Sequence, residues 1–307
     1  MPEWLIERGI GETRMALVER DDILEARVLL HGIAVAGLRL TARLVSTGRN
    51  ALARDESGNE YLLPNGAGKV AEGEQLAIVV TRSAIPGAEP WKRPLAKVAG
   101  DQDGLSDPIS ATNRELPNAW DDLIEEARSG IVRFAGGELR ISPTPAMTLI
   151  DVDGSLPPDE LATRGAGEAA RAIRRLDIGG LIGIDLPTTN NKAARQRAAA
   201  SIDTNLPLPF ERTAVNGFGF LQIVRPRRRA SLLELAQDRA AFEARALLRR
   251  AAFEPPGPKR LVGHPAVVKL LEGHTEWIGE LARQVGGSVE LRADPALPMS
   301  GGHAESI

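Results

Sequence analysis

Two apolar runs, TLIDVD (148–153) and GLIGID (180–185), each end in aspartate, and the helical pattern EAARAIRRLD (168–177) lies between them. Asp151 and Asp185 stand 34 positions apart (185 − 151 = 34), about the length that a crossover between two parallel strands needs. A β–α–β unit of this kind constrains the fold strongly, because it demands a sheet with a parallel pair and a helix laid on that sheet. It also puts two carboxylates at the same ends of neighbouring strands, in the crevice where α/β sheets tend to bind ligands.

Around this unit the patterns change in blocks. Residues 1–36 carry short apolar stretches parted by a turn at Gly9 and Gly11 and another at Asp21–Asp22, and predict a β-meander. Residues 37–95 continue in about five short strands, with turns at Ser57-Gly58-Asn59 and Asn65-Gly66, and suit a small barrel of the OB type. The stretch 86–118 is rich in Pro, Gly and Asp and reads as a linker. AWDDLIEEARSG (119–130) reads as an amphipathic helix stopped by Gly130, so that 96–130 is a linker and a helix. Residues 131–232 hold a hairpin (FAGGELRISP), the β–α–β unit, a helix (KAARQRAAASID) and a strand (GFGFLQIVRP). Residues 233–307 form a small α/β domain. A long helix is expected over 231–253, then a strand at RLVGH, a second helix around VVKLLEGHTEWIGELARQV, a strand at SVELRA, and a frayed last dozen residues. The predicted class is a multidomain chain mixing α+β and α/β parts.

Composition removes several kinds of chemistry. The chain has no cysteine, which excludes disulfides, zinc ribbons and thiol nucleophiles. A net charge of −3 means that any basic surface is local. No apolar run approaches the roughly 20 residues that span a bilayer, so no membrane partner is expected. The opening MPEWLIERG, charged from its third residue, is unlike a secretory signal, and the expectation is a cytoplasmic protein.

Side chains at i and i+2 on a strand share a face, so Asp151 and Asp153 converge if the strand runs through Val152. With Asp185 they make three carboxylates, which repel one another unless a cation compensates. Magnesium, with manganese as a substitute, suits hard oxygen ligands and leaves room for water and phosphate. Aspartate before glycine is also an ordinary turn former, and Asp153-Gly154 is open to that reading. DVDGS resembles the nucleophile motif of haloacid-dehalogenase-type phosphatases. The acidic pair that those enzymes need downstream has no counterpart, since Asp203, Asp238 and Asp294 are neither preceded by glycine nor followed by an acid four residues on. The block RPRRR (225–229) is either a solvated turn or a grip for a phosphate backbone, with Lys192, Arg195 and Arg197 adding local positive charge.

These residues resemble the ribonuclease E/G family. ISPTPAMTLIDVDG (141–154), ATRG (162–165), EAARAIRRLDIGGLIGIDLP (168–187) and GFGFLQIVRPRRRASL (217–232) follow the family's motifs in order over about 90 residues. The N-terminal ETRMALVERDDILEARV, the barrel and the C-terminal part resemble it more loosely. The resemblance implies a magnesium-dependent endoribonuclease that cuts single-stranded RNA. It also implies a DNase I-like catalytic subdomain, an RNase H-like part in the N-terminal meander and an OB-type RNA-binding domain. Asp151 and Asp185 match the family's metal ligands, and Asp153 falls where relatives carry an asparagine, so that it either ligates metal or stands beside it. Arg164, Arg225, Arg227, Arg228 and Arg229 fall in RNA-binding positions. Tyr61, the single tyrosine, falls near a family aromatic that stacks on a base, and reads equally as a barrel-edge residue.

Departures accompany the likeness. The region between the barrel and the helix at 119 is too short for the family's sensor of 5′-monophosphorylated ends, the cysteine-based zinc link has no residues to form it, and the crossover is shorter than usual. A compact, divergent member is expected, dimeric through its C-terminal domain. The alternative is an RNA-binding protein that kept the scaffold and lost useful catalysis.

Overall fold

The computed structural model describes residues 1–86, 92–100 and 111–307, so the segment read as a linker falls partly outside them. The fold is mixed α and β, with a closed five-stranded barrel and three open sheets.

Strands β1 (Glu3–Arg8), β2 (Glu12–Glu19) and β3 (Asp22–Leu30) form the expected meander. Arg20 and Asp21 both take positive φ (51° and 70°), the two-residue geometry that matches the twist of a hairpin. The turn therefore sits one residue before the predicted Asp21–Asp22. The barrel follows with β4 (Arg39–Ser46), β5 (Ala51–Arg54), β6 (Glu60–Leu63), β7 (Gln75–Arg82) and β8 (Leu95–Val98), closed in the order β4-β5-β6-β8-β7 around a core of its own. Closure uses β8 and so runs past residue 95. Strand β9 (Ala111–Asn113) then pairs in parallel with β1, which makes the barrel an insertion between two strands of one sheet.

Helix α1 (Ala119–Ser129) buries Trp120, Leu123 and Ala127 and ends on Gly130 in the left-handed region. Strands β10 (Ile131–Phe134), β11 (Gly137–Pro143) and β12 (Thr148–Gly154), helix α2 (Pro158–Arg175), β13 (Gly180–Asp185), α3 (Lys192–Asn205), β14 (Glu211–Arg212) and β15 (Phe220–Arg225) build a six-stranded sheet, ordered β10-β11-β12-β13-β15-β14. Strands β12 and β13 are its parallel pair, as the crossover length demands. Helix α2 lies close because its inner face is small: Ala162, Gly165, Ala166, Ala169 and Ala170 are all buried. A single hydrophobic core joins this sheet and its helices to the N-terminal meander.

The long helix expected over 231–253 is two helices, α4 (Leu232–Gln237) and α5 (Arg239–Phe253). Asp238 breaks the run, and its side chain instead caps α5 by accepting from Ala241 N. After β16 (Lys259–Gly263) the second predicted helix is also divided, into α6 (Pro265–Glu272) and α7 (Thr275–Val285), at Gly273–His274. Strand β17 (Val289–Ala293) follows. The last residues do not fray: β18 (His303–Ser306) pairs antiparallel with β16, giving the sheet β17-β16-β18. The C-terminal unit meets the N-terminal sheet through buried charge. Arg14, 2% exposed, lies between Glu7 (2.9 Å) and Glu12 (2.6 Å), which also take Arg249 and Arg245 of α5. Among the described residues no helix is long and apolar enough to cross a membrane.

Candidate functional site

Burial alternates along β12: Ile150 and Val152 are buried, whereas Leu149, Asp151 and Asp153 are exposed. The buried set faces α2, and the exposed set lies on the open face of the sheet. In the parallel ladder Asp151 stands directly opposite Asp185, and across the antiparallel ladders Arg140 faces Asp151 and Phe220 faces Asp185. One row of the open face therefore reads Arg140–Asp151–Asp185–Phe220. Neighbouring strands are about 4.8 Å apart, so the two carboxylates stand side by side. Like charges so placed in a sheet are destabilising. The nearest cross-strand cation does not relieve them, since the Arg140 guanidinium pairs with Glu138 at 2.8 Å. Neither Asp151 nor Asp185 has an ion-pair partner among the described residues.

The loops at this end of the sheet are tied together. Asp159, in the first turn of α2, accepts from the Thr189 hydroxyl and from Asn191 Nδ2 (2.6 Å), joining the segment after β12 to the segment after β13. The Thr189 hydroxyl and then the Asn191 amide hold the Asp159 carboxyl below its ordinary pKa. The turn before β15 is fixed as well: Gly219, left-handed at φ 92°, leaves 2.1 Å between an added Cβ and Leu186 O, which no side chain tolerates.

The sequence leaves Asp153 either as a third ligand beside Asp151 and Asp185 or as a residue standing next to the ion. No group of three His, Cys, Asp or Glu side chains able to hold a metal ion forms among the described residues. Asp153 sits one i+2 step, about 7 Å, along β12, opposite Glu138, and accepts from Gly154 N (2.8 Å) as a turn-forming aspartate does. Two side-by-side carboxylates still fit a hard divalent cation, which needs only one or two such ligands and completes its shell with water and phosphate oxygen.

The arginine block does not stand beside these carboxylates. Strand β15 runs antiparallel to β13, so Phe220 meets Asp185 at one end and Arg225 meets Gly180 at the other, about 17 Å away at strand rise. Nor is the block a free cluster. Asp177 takes Arg229 at 2.6 Å and Arg225 at 3.6 Å, and Arg227 pairs with Glu234, while Arg228 remains exposed. Burial drives the Asp177 carboxyl above its ordinary pKa despite these arginines. Arg164 lies on α2, on the other side of the sheet, and donates to Ala135 O (3.0 Å). Tyr61 is 1% exposed in the barrel core, its hydroxyl donating to Asp55 (2.9 Å), so its ring has no face to offer a base. Burial first, and Asp55 second, push its pKa up to about 12.

Arg140, Arg133 and Phe218 were not singled out from sequence, yet all three reach the candidate end of the open face or its rim. Arg133 and Arg140 flank Glu138, at 3.9 and 2.8 Å, with side chains 77% and 61% exposed. Their signal was the period-two pattern of the β10–β11 hairpin, which phases them with Asp151 once the register is known.

No family model matches the chain. A stretch of 110 residues is 34% identical to Ribonuclease G of Escherichia coli, and the same likeness holds to Ribonuclease G of Shigella flexneri. The match takes in 32% of this chain, and the chain spans 22% of the length of these curated relatives. This likeness supports a ribonuclease E/G-like relationship over that stretch.

Proposed function

We propose that the chain is a metal-dependent endoribonuclease that hydrolyses phosphodiester bonds of single-stranded RNA, leaving 5′-phosphate and 3′-hydroxyl ends. The observation that carries this reading is the in-register pair Asp151 and Asp185, exposed and without a cationic partner. The likeness to Ribonuclease G supplies the reaction class. Asp151 and Asp185 would hold one magnesium ion, or manganese in its place. When bound, such an ion supplies a water of lowered pKa and neutralises charge on the phosphate.

The remaining roles fall to the chain's own groups. Arg140 and Arg133, on the same open face, would orient the phosphate by charge-assisted hydrogen bonds. Glu138 and Asp153 would temper that positive field and keep the arginines in place. The Asp159 clamp would fix the loops that follow both aspartate strands. On this reading the six-stranded sheet is the DNase I-like catalytic part, the N-terminal sheet is the RNase H-like part, and the barrel holds RNA at a distance.

The test is cleavage of a labelled single-stranded RNA with and without magnesium. Wild type should cut only with the metal, and Asp151→Asn and Asp185→Asn should each lose about 100-fold or more of the rate, as expected when a metal's charge stabilisation of several kcal/mol is removed. Arg140→Ala should raise KM with a smaller effect on kcat. RNA bound by wild type but left uncut would make the chain an RNA-binding protein on this scaffold, and Asp185→Asn cutting at the wild-type rate would remove the site from the sheet face.

A further inference from the structure

Phe218 is 82% exposed, more than any other large hydrophobic residue among the described ones except Met1. Its turn is nonetheless rigidly built. Asn216 Oδ1 accepts from both Phe218 N (2.9 Å) and Phe220 N (3.0 Å), and Gly219 N donates to Asn216 O (3.2 Å). The turn is also tied to the segment that leaves Asp185: Leu186 N donates to Gly219 O (3.2 Å), and the Thr188 hydroxyl donates to Phe218 O (3.1 Å). A well-fixed turn therefore holds an aromatic ring in water, two residues before Phe220, the strand position opposite Asp185.

Phe220, two residues on, belongs to an apolar strip on the open face. A Cβ at Gly183 would come within 2.7 Å of Phe220 Cζ and 3.1 Å of Leu149 Cδ2, so these two side chains close over Gly183 beside the aspartate pair. Carboxylates and an apolar strip, side by side, match the two halves of one nucleotide: a phosphate held through a cation, and a base with a free face.

We propose that Phe218 is a stacking platform for an unpaired base flanking the phosphodiester at Asp151 and Asp185. This rests on the nuclease reading for the identity of the ligand. Stacking on a ring face tolerates every base, while a duplex keeps its bases stacked inside the helix and offers no such face. Phe218 would thus select single strands without selecting sequence, and takes the role that the buried Tyr61 cannot fill.

The probe is a short single-stranded RNA carrying one 2-aminopurine, titrated in calcium so that binding is read without relying on cleavage. Wild type should quench the fluorophore. Phe218→Ala should lose the quench at the flanking position and bind about tenfold or more weaker, the range expected for one stacked base. Phe218→Trp should restore both. An abasic site at that position should weaken wild type to the level of Phe218→Ala and leave Phe218→Ala unchanged. Equal binding of intact and abasic RNA by wild type and Phe218→Ala overturns the proposal. So does a wild-type dimer in sedimentation that Phe218→Ala converts to monomer, since the ring would then cover a second copy. Cleavage lost in Asp151→Asn but unaltered in Phe218→Ala leaves the nuclease reading standing and removes the stacking. Quenching that depends on Phe218, with no cleavage by any protein, does the reverse.

Discussion

The placement of the aspartate strand depends on one close approach, and changing it has a calculable result. A Cβ at Gly165 on α2 would lie 2.3 Å from Val152 Cγ1, on the strand residue between Asp151 and Asp153. Carbon atoms in contact prefer about 3.5–4.0 Å, and Val152 is 6% exposed and stiff about its first torsion, so Gly165→Ala must push α2 off β12 by over 1 Å. Overpacking of this kind costs about 1–3 kcal/mol, and the severity of the overlap places it near the top. The better helix propensity of alanine returns about 1 kcal/mol, leaving a net loss of about 2 kcal/mol. Val152→Ala alone loses two buried methyl groups and leaves a small cavity, about 2 kcal/mol. In the double variant the added methyl fills that cavity, so the combined loss should be about 1 kcal/mol rather than the additive 4. Urea denaturation of the four proteins measures this, and the cleavage rate should fall in Gly165→Ala and recover in the double variant. Additivity within about 0.5 kcal/mol would refute the packing argument.

Acid should weaken the protein through Glu7, where burial alone would raise the pKa but the hydrogen bond and charge of Arg249, the Leu116 amide and Arg14 together outweigh it and hold it below 4.5. The unfolded chain then takes up that proton first, so the stabilisation is complete above about pH 4.5 and is lost as the pH falls through the lower folded value. Urea midpoints measured from pH 6 to pH 3 should fall, and Glu7→Gln should flatten that slope. Tyr61→Phe should cost about 1 kcal/mol through the lost bond to Asp55 and leave RNA affinity unchanged; an unchanged urea midpoint would show that this bond contributes nothing to stability.

The crossover was legible because a parallel pair has few alternatives: two apolar runs, a helix between them and a fixed length put Asp151 against Asp185, and the ladder has them opposite one another. The meander and the barrel strands were legible for a similar reason, alternation punctuated by turn residues. Placement across the sheet was not. RPRRR follows a strand that begins beside Asp185, but an antiparallel strand carries its far end away, and sequence does not state direction. Asp177, with its positive φ of 53°, gathers arginines from 225 and 229 across a gap of about 50 residues, which no local pattern announces. The two divided helices were missed because their apolar period continues through Asp238 and through Gly273–His274. There a cap or a turn, rather than hydrophobicity, decides the break.

On the nuclease reading, Asp151 and Asp185 share one divalent cation and Asp153 does not hold it. Manganese titrated into the protein and followed by electron paramagnetic resonance of the free ion tests this directly. Wild type and Asp153→Asn should each bind one ion, and Asp151→Asn and Asp185→Asn should each lose it. A bound ion that persists in both of those variants would contradict the account, as would its loss in Asp153→Asn alone.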